Sequence, residues 1–272
     1  MISIKYKRFY YPEINNYPDG TFRVNMPEIP VTDNTSIEVI WTYQNEHDLT
    51  LLVYIAENLK ENYQNPINLY MPYVPNARMD RIKEKNEVFT LKYFCKMINF
   101  LEFEKVKILD VHSPVTSALL EHCENISPIK YIDDVVKLSG ISPVSDYIFF
   151  PDESSFKRYS DMFRHFSNTG FGIKQRDWKT GKILGLDIFG TSPENKRVLI
   201  IDDICSYGGT AYHSAMKLKE LGCKNIYLYF THCENSIYKG ELLKGDLIKH
   251  IYTTNSVLSD NTSEKITVFD CL

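Results

Sequence analysis

The sequence predicts an α/β fold with mostly parallel central sheets flanked by helices. Short apolar runs alternate with longer stretches that carry apolar residues at helical spacing, which is typical of parallel α/β sheets. The 272 residues are enough for one large core or two modest ones. Hydrophobic residues make up 43% and charged residues 24%, as in ordinary globular proteins. The net charge of −4 argues against a general nucleic-acid-binding surface, which is usually basic.

The first half of the chain contains three strand–helix units. "SIEVIWTY" predicts a strand, and "DLTLLVYIAENLKEN" predicts the helix after it, with Asp48 as N-cap. The second unit is the strand "INLYMPYV" followed by the helix "FTLKYFCKMINFLEF". The third is the strand "KVKILDVH" followed by the helix "SPVTSALLEHC", in which Ser113 is the cap and Pro114 takes the first helical position.

The second half repeats this pattern. "DYIFFPDESSFKRYSDMFRHF" combines an apolar run, a polar tip and an amphipathic helix, and "KRVLIIDDICSYGGTAYHSAMKLKELGC" is the clearest strand–turn–helix unit. "KNIYLYFTH" predicts one more strand. Between the halves, "SPIKYIDDVVKLSGISP" shows no strong periodicity. We therefore expect two domains, at residues 1–132 and 133–272.

The cysteines and the N-terminus suggest a cellular location. None of the six cysteines forms a C-x-x-C pair, so neither a zinc ribbon nor a thioredoxin-like site is indicated, and we expect reduced thiols. The N-terminal stretch has no uninterrupted apolar region and no small-residue cleavage site, and no segment approaches a membrane-spanning length. We expect a cytoplasmic protein with neither membrane nor nucleic acid as partner.

Polar side chains collect at the carboxyl ends of the predicted strands. In open α/β sheets, ligands bind outside these strand ends. The number of acids and histidines there exceeds what helix capping requires. The residues are Arg78, Asp80, Asp110, His112, Asp152, Asp202, Asp203 and His232.

Asp202 and Asp203, followed by Gly208, Gly209 and Thr210, give the strongest local signal. Glycines allow backbone N–H groups to converge on a phosphate, and the N-terminus of the following helix adds partial positive charge. The carboxylates would face hydroxyls or a metal, and a ribose phosphate offers both an anion and vicinal hydroxyls. The alternative is a plain strand-to-helix turn in which Asp203 caps the helix.

This stretch, "VLIIDDICSYGGTA", resembles the phosphoribosyl-diphosphate motif D-D-x-x-D-T-G-G-T, which type I phosphoribosyltransferases and ribose-phosphate pyrophosphokinases share. Four other stretches resemble the pyrophosphokinases in particular and occur in family order: "YPDGTFRV", "NLYMPYVPNARMDR", "ILDVHSP" and "FGIKQRD". The resemblance covers most of the chain. It implies two type I phosphoribosyltransferase-like domains, the N-terminal one on the ATP side and the C-terminal one carrying the sugar-phosphate loop.

The resemblance also implies an activity and its residues. The activity is transfer of the β,γ-diphosphate of ATP to the anomeric hydroxyl of a ribose 5-phosphate moiety, with Mg²⁺ as cofactor and AMP as product, in a homo-oligomer (dimer or hexamer). The implied residues are Lys174, Arg176 and His112 in catalysis; Asp202, Asp203, Ser206, Tyr207, Gly208, Gly209 and Thr210 at the ribose phosphate; Tyr17, Asp19, Arg78, Asp80 and Arg81 at ATP; and His112 and Asp152 at the metal.

The chain departs from the family pattern at several positions. Ser206-Tyr207 replaces Asp-Thr, Met79 replaces a glutamine, Thr21 replaces a glutamate, and no C-terminal helix follows "TVFDCL". Loss of the loop carboxylate removes a negative neighbour, and the tyrosine adds a flat amphipathic surface.

A 5-phosphate esterified to a larger group would suit this altered loop, so the sequence favours ADP-ribose as substrate. A relative of the family acts on ADP-ribose in NAD-rebuilding routes, notably in phages. Ribose 5-phosphate is the alternative substrate, and a type I phosphoribosyltransferase or a non-catalytic regulatory homologue is the alternative class.

Overall fold

The computed structural model describes residues 1–176, 183–259 and 262–272, excluding the side chains of residues 174–176 and 183–184. The chain folds into two compact units. The first comprises Met1–Ser127 together with Leu272, and the second comprises Pro128–Cys271. The sequence places the boundary between domains after residue 132.

The first unit contains eight strands: β1 (Ile2–Tyr6), β2 (Arg8–Tyr10), β3 (Glu13–Asn16), β4 (Phe22–Asn25), β5 (Ile37–Trp41), β6 (Ile67–Tyr70), β7 (Lys105–Leu109) and β8 (Cys123–Ile126). Six of them form a sheet in the order β2-β1-β5-β6-β7-β8, while β3 and β4 form a separate antiparallel hairpin. The strands from β5 to β8 are parallel, and β1 runs antiparallel to both of its neighbours.

Three helices accompany these strands: α1 (His47–Asn62), α2 (Thr90–Phe100) and α3 (Pro114–Leu119). Leu52, Ile55 and Leu59 lie at helical spacing on α1 and are fully buried in the core of this unit. At α3, Ser113 is the N-cap, because its Oγ accepts a hydrogen bond from the Val115 N–H, and Pro114 follows it as predicted.

The prediction for Asp48 is wrong. Glu46 is the N-cap of α1, and Asp48 lies inside the first turn. Its buried carboxylate accepts a hydrogen bond from the Gln44 N–H at 2.8 Å, so it stabilises the turn before the helix. The His47 N–H donates to the Asn45 side-chain oxygen at 2.9 Å, and the helix begins at His47, two residues earlier than an N-cap at Asp48 implies.

In its described residues, the second unit contains seven strands: β9 (Tyr147–Phe150), β10 (Thr169–Arg176), β11 (Ile183–Gly190), β12 (Val198–Cys205), β13 (Ile226–Cys233), β14 (His250–Thr254) and β15 (Ile266–Phe269). They form one sheet in the order β11-β10-β9-β12-β13-β14-β15. β10 and β11 pair antiparallel, and the other neighbouring strands pair parallel. The central strands β9, β12 and β13 are largely buried and apolar, as expected for a parallel sheet covered on both faces.

The helices of this unit are α4 (Ile129–Ser139), α5 (Glu153–Tyr159) and α6 (Gly209–Glu220), with short 3-10 turns at Ser160–Phe163 and Asn235–Lys239. The segment between the halves, expected to lack strong periodicity, is α4, and that expectation is wrong. Its buried residues Tyr131, Ile132 and Val135 recur at helical spacing among charged neighbours. This is the pattern of an ordinary amphipathic helix.

None of the six cysteines, all within the described ranges, is joined to another by a disulfide, as expected for reduced thiols. Among the described residues, no helix combines the length and apolar character that crossing a membrane requires.

Candidate active site

The loop between β12 and α6, residues 206–208, is the centre of the candidate site. Gly208 is the N-cap of α6 and adopts a left-handed φ of 79°, and a Cβ there would collide with Leu242, so the chain itself requires glycine. At Gly209, by contrast, a Cβ would meet no atom within 4 Å. A glycine that packing does not require, at the first position of a helix, leaves the backbone N–H groups open to a close-lying anion.

Two carboxylates precede this loop at the end of β12. Asp203 is buried, and its Oδ2 pairs with Nη1 of Arg158 on α5. Burial, together with the negative charges of Asp203 and Asp152, raises the pKa of Asp202 well above its usual value. Three carboxylates therefore gather at the carboxyl ends of the adjacent strands β9 and β12, with one guanidinium among them. Such carboxylates can accept hydrogen bonds from sugar hydroxyls.

Arg158 is a site residue that the sequence analysis missed. It lies on the helix that follows a strand tip, at a position where a cation reaches back to the neighbouring strand end. Its side chain is 21% exposed and that of Asp203 is 7% exposed, so the pair is largely shielded from water. The only sequence signal was a basic residue in an otherwise amphipathic helix, which is usually a solvated charge.

Asp152, predicted as a metal ligand, is the N-cap of α5. Its Oδ1 accepts hydrogen bonds from the N–H groups of Ser154 and Ser155, both at 3.1 Å, and the Ser155 hydroxyl accepts one from the Asp152 N–H. Together these bonds form a capping box, so Oδ1 of Asp152 has a structural role at the start of α5. Within the described part of the chain, no cluster of three or more His, Cys, Asp or Glu side chains could hold a metal ion.

The Ser206 side chain is hydrogen-bonded to the segment that follows β13. Its hydroxyl donates to Oε2 of Glu234 at 2.7 Å and lies 3.1 Å from Oγ of Ser236. The Glu234 N–H in turn donates to the Cys205 carbonyl at 2.8 Å. Tyr207 follows with its side chain 59% exposed, so it presents an aromatic surface to solvent. Glu234 is 28 residues from Ser206, which is why the local pattern could not reveal it.

Lys174 and Arg176 lie on β10, and their side chains are outside the described part of the structure. The backbone register pairs Lys174 with Leu186 of β11. A row of stacked aromatic rings packs along this strand. The ring centroid of Phe171 lies 4.7 Å from that of Phe156 on α5 and 5.8 Å from that of Phe189 on β11. The row joins β10 to the helix that carries Arg158.

In the first unit, Tyr17 and Asp19 lie in the turn of the β3–β4 hairpin. Oδ1 of Asp19 accepts hydrogen bonds from the Thr21 hydroxyl at 2.7 Å and the Thr21 N–H at 3.0 Å, and these lower the pKa of the carboxyl group. Thr21, which replaces the family's glutamate, thus shapes the turn. A cleft of about 360 Å³ lies beside the hairpin; its lining residues are Asn16, Gly20, Phe22, Asn45, His47, Asp48 and Leu51.

The other predicted residues of the first unit follow the adjacent parallel strands β6 and β7. Arg78, Asp80 and Arg81 lie in the segment after β6, where Nε of the exposed Arg81 is 3.3 Å from Oδ1 of Asp80. His112 lies just after β7 and is partly buried. Both groups therefore lie at the carboxyl edge of this sheet, where ligands bind in open α/β folds.

Comparison with known proteins supports one family. No family model matches the chain. Over 257 residues it is 26% identical to a ribose-phosphate pyrophosphokinase of Staphylococcus haemolyticus, covering 92% of this chain and 78% of the relative. Over 269 residues the chain is 24% identical to a ribose-phosphate pyrophosphokinase of Sulfolobus acidocaldarius, covering 93% of this chain and 86% of the relative.

A solved structure agrees with these matches. The phosphoribosylpyrophosphate synthetase of Mycobacterium smegmatis superimposes with a TM-score of 0.77 at 15% identity, covering 96% of this chain and 86% of that one. This similarity establishes the fold and confirms the predicted α/β class. The chain is thus similar in sequence to proteins named ribose-phosphate pyrophosphokinase, and it shares the fold of the Mycobacterium smegmatis phosphoribosylpyrophosphate synthetase.

Proposed function

We propose that the chain is a diphosphotransferase that transfers the β,γ-diphosphate of ATP to the anomeric hydroxyl of a ribose 5-phosphate moiety. The observation that carries this proposal is the β12–α6 loop, in which Gly209 leaves the start of α6 open beside Asp202 and Asp203. The names of the relatives point to the same reaction. The anomeric oxygen attacks the β-phosphorus, the bond to the α-phosphate oxygen breaks, AMP leaves with that electron pair, and the hydroxyl proton passes to solvent.

The sugar would bind at the second unit. Backbone N–H groups at residues 207–210 would bind the 5-phosphate, with the partial positive charge of the α6 N-terminus behind them. Asp202 and Asp203 would accept hydrogen bonds from the ribose hydroxyls. Arg158 holds the Asp203 carboxylate in place through the ion pair.

Charge on the transferring phosphates would be stabilised by Lys174 and Arg176, since phosphoryl transfer depends on positioning and cationic groups. In the first unit, the proposed ATP contacts are Tyr17, Asp19, Arg78, Asp80 and Arg81.

His112 and Asp152 would lie at the magnesium sites. Among the described residues no three acidic, histidine or cysteine side chains meet at one point, so magnesium would take most of its ligands from phosphates and water. When bound, magnesium neutralises phosphate charge. We further propose a homo-oligomer, a dimer or a hexamer.

ADP-ribose is the proposed sugar substrate, with ribose 5-phosphate as the alternative. Tyr207 supports this choice, because it belongs to the loop and its exposed ring would offer an amphipathic surface to a group attached beyond the 5-phosphate. A free 5-phosphate would make no use of such a surface.

The decisive experiment supplies the full chain with ATP, Mg²⁺ and either sugar, and measures AMP. We expect AMP only when a sugar phosphate is present, and faster release with ADP-ribose. Formation of ADP would indicate an ordinary kinase, and the absence of any ATP turnover would favour a phosphoribosyltransferase or a regulatory homologue. Faster turnover of ribose 5-phosphate would reject the choice of substrate and keep the reaction.

The Lys174→Ala variant tests the proposed catalytic role of Lys174 on β10. We expect turnover to fall by about 10³-fold, because a cation that stabilises transition-state charge is lost. The control is Lys137→Ala, at a lysine of α4 that is 75% exposed and pairs with Asp134 at 3.6 Å. Near-normal AMP release by the Lys174 variant would contradict its role.

A further inference from the structure

The 3-10 turn Asn235–Lys239 lies alongside the β12–α6 loop. Near the start of the turn, Oγ of Ser236 lies 3.1 Å from Oγ of Ser206. At its other end, a Cβ at Gly240, the residue after the turn, would collide with the carbonyl oxygen of Tyr207. The turn therefore follows the loop from Ser206 to Tyr207 and approaches it closely near both ends.

Lys239 shares the face of the turn that contacts the loop. A 3-10 helix has three residues per turn, so side chains three positions apart eclipse each other. Ser236 and Lys239 are three positions apart, and Ser236 faces Ser206. Lys239 is exposed and belongs to no ion pair among the described residues, whereas Lys244 pairs with Glu241 at 2.8 Å. This places an unneutralised ammonium group beside the loop.

We infer that Lys239 is a specificity-determining residue, which binds the second phosphate of a sugar whose 5-phosphate is joined to a larger group as a diphosphate. Each phosphate of such a diphosphate keeps an ionised oxygen, and a lysine ammonium binds phosphate oxygens as a compact point charge. The inference rests on the proposed function and deepens it, because it names a residue that would distinguish ADP-ribose from ribose 5-phosphate.

The strand order shows why the second phosphate would reach Lys239. In the sheet, β12 lies between β9 and β13, and β10 lies beyond β9. Asp152 follows β9 and Lys174 lies on β10, so these groups, proposed for the reacting end of the sugar, lie on one side of β12. The turn that carries Lys239 follows β13, on the other side. A ribose whose anomeric hydroxyl faces the reacting groups would direct the substituent on its 5-phosphate toward the β13 side.

Hydrogen bonds hold this turn against the loop. Oε2 of Glu234 accepts hydrogen bonds from the hydroxyls of Ser206 at 2.7 Å and Ser236 at 3.3 Å, so one carboxylate joins the two segments. The Glu234 N–H also donates to the Cys205 carbonyl at 2.8 Å. Because its backbone is fixed in this way, Lys239 has only its own side chain to order when it binds a phosphate, which limits the entropic cost of the contact.

The Lys239→Gln variant tests this inference, because glutamine is polar and flexible but carries no charge. The Kd values of the full chain for ADP-ribose and for ribose 5-phosphate are measured by calorimetry, and KM and kcat are measured by AMP release with each sugar. We expect the Kd and the KM for ADP-ribose to rise about tenfold relative to those for ribose 5-phosphate, as for the loss of one hydrogen bond to a charged group. The kcat values should change less than the KM values, since the contact lies away from the reacting end of the sugar.

Lys217→Gln is the matched control. It removes the same charge from the same unit, in the last turn of α6, at a side chain that is 42% exposed and pairs with Glu220. Because the β12–α6 loop lies at the other end of this helix, the ratio between the two sugars should stay as in the wild type. Lys239→Arg, which keeps the charge, should retain most of the wild-type ratio.

The outcomes separate the inference from the proposed function. An unchanged ratio in Lys239→Gln overturns the inference, as does an equal weakening of both sugars or a loss in Lys239→Arg as large as that in Lys239→Gln. A wild type that turns over ribose 5-phosphate without binding ADP-ribose also overturns it, while the proposed reaction stands. Absence of AMP release by the wild type with either sugar would instead overturn the proposed function.

Discussion

Gly208 and Gly209 are neighbours with different reasons to be glycine. Gly208 adopts a positive φ and is closely approached by Leu242, whereas the Cβ direction of Gly209 is open. Gly208→Ala should cost about 1–3 kcal/mol of unfolding free energy from backbone strain and steric conflict.

Gly209→Ala should leave stability unchanged or raise it by up to about 1 kcal/mol, because alanine is the better helix former. It should nevertheless weaken the binding of ribose phosphates, since its methyl group would enter the space of a bound anion. Urea unfolding and calorimetry on both variants separate the two effects. Unaltered sugar-phosphate binding by Gly209→Ala would contradict the placement of the phosphate.

A second prediction at the residue scale concerns the ion pair between Arg158 and Asp203. Arg158→Met leaves a buried carboxylate without its cation, beside Asp202, whose pKa is already raised. We expect a loss of about 2–4 kcal/mol of stability. The double variant Arg158→Met/Asp203→Asn should recover part of that loss, because no unpaired charge remains. Additive losses in the double-mutant cycle, measured by urea unfolding, would show that the two side chains do not act as a pair.

At the scale of elements, Asp146 joins the beginnings of β9 and β12. Its buried carboxylate accepts hydrogen bonds from the Ser142 N–H at 2.7 Å and from Nη2 of Arg197 at 2.6 Å. Burial opposes ionisation, but the hydrogen bonds from Arg197 and Ser142 outweigh it and lower the pKa of Asp146. Asp146→Asn should therefore cost about 2–4 kcal/mol at pH 7.

The pH dependence of this effect has a defined sign. A carboxyl group whose pKa is lowered by folding stabilises the protein above its unfolded value of about 3.9 and loses this contribution as the pH falls through the folded value. The difference in unfolding free energy between wild type and Asp146→Asn should thus narrow below about pH 4. Denaturant titrations at pH 7 and pH 3 test this, and an equal difference at both would show that charge plays no part.

The individual helices and strands also show which features of the fold the local sequence pattern predicts. The sequence predicts β12 and α6 well, because a run of apolar residues, two acids and two glycines leave few conformations. The prediction for α4 is wrong although its apolar residues recur at helical spacing, and the local pattern does not show that β10 and β11 pair antiparallel. The Asp48 prediction fails because the side chain is used by the preceding turn.

On the scale of the whole molecule, each unit has a core of its own. Trp41, Leu52 and Ile108 are among the buried residues of the first, and Phe149, Ile200 and Leu228 are among those of the second. We expect a fragment of residues 128–271 to fold cooperatively, because its sheet, helices and core lie within that range.

The same fragment should bind ADP-ribose, because the β12–α6 loop and Glu234, which accepts a hydrogen bond from Ser206, belong to this unit. Circular dichroism during urea unfolding and calorimetry with ADP-ribose and with ribose 5-phosphate provide the test. A fragment without a cooperative transition would show that the second unit depends on the rest of the chain. A folded fragment that does not bind would show that the sugar-phosphate site needs residues of the first unit.

The sequence by itself determined the α/β class, the family resemblance and the position of the β12–α6 loop, because these depend on local periodicity and on residues close together along the chain. Only the tertiary structure decided which charges surround that loop. Arg158 reaches Asp203 from the helix after β9, and Glu234 reaches Ser206 from the end of β13. Parallel pairing brings the carboxyl ends of strands together across tens of residues. The carboxylate missing from position 206 in the sequence is for this reason present at the loop in space.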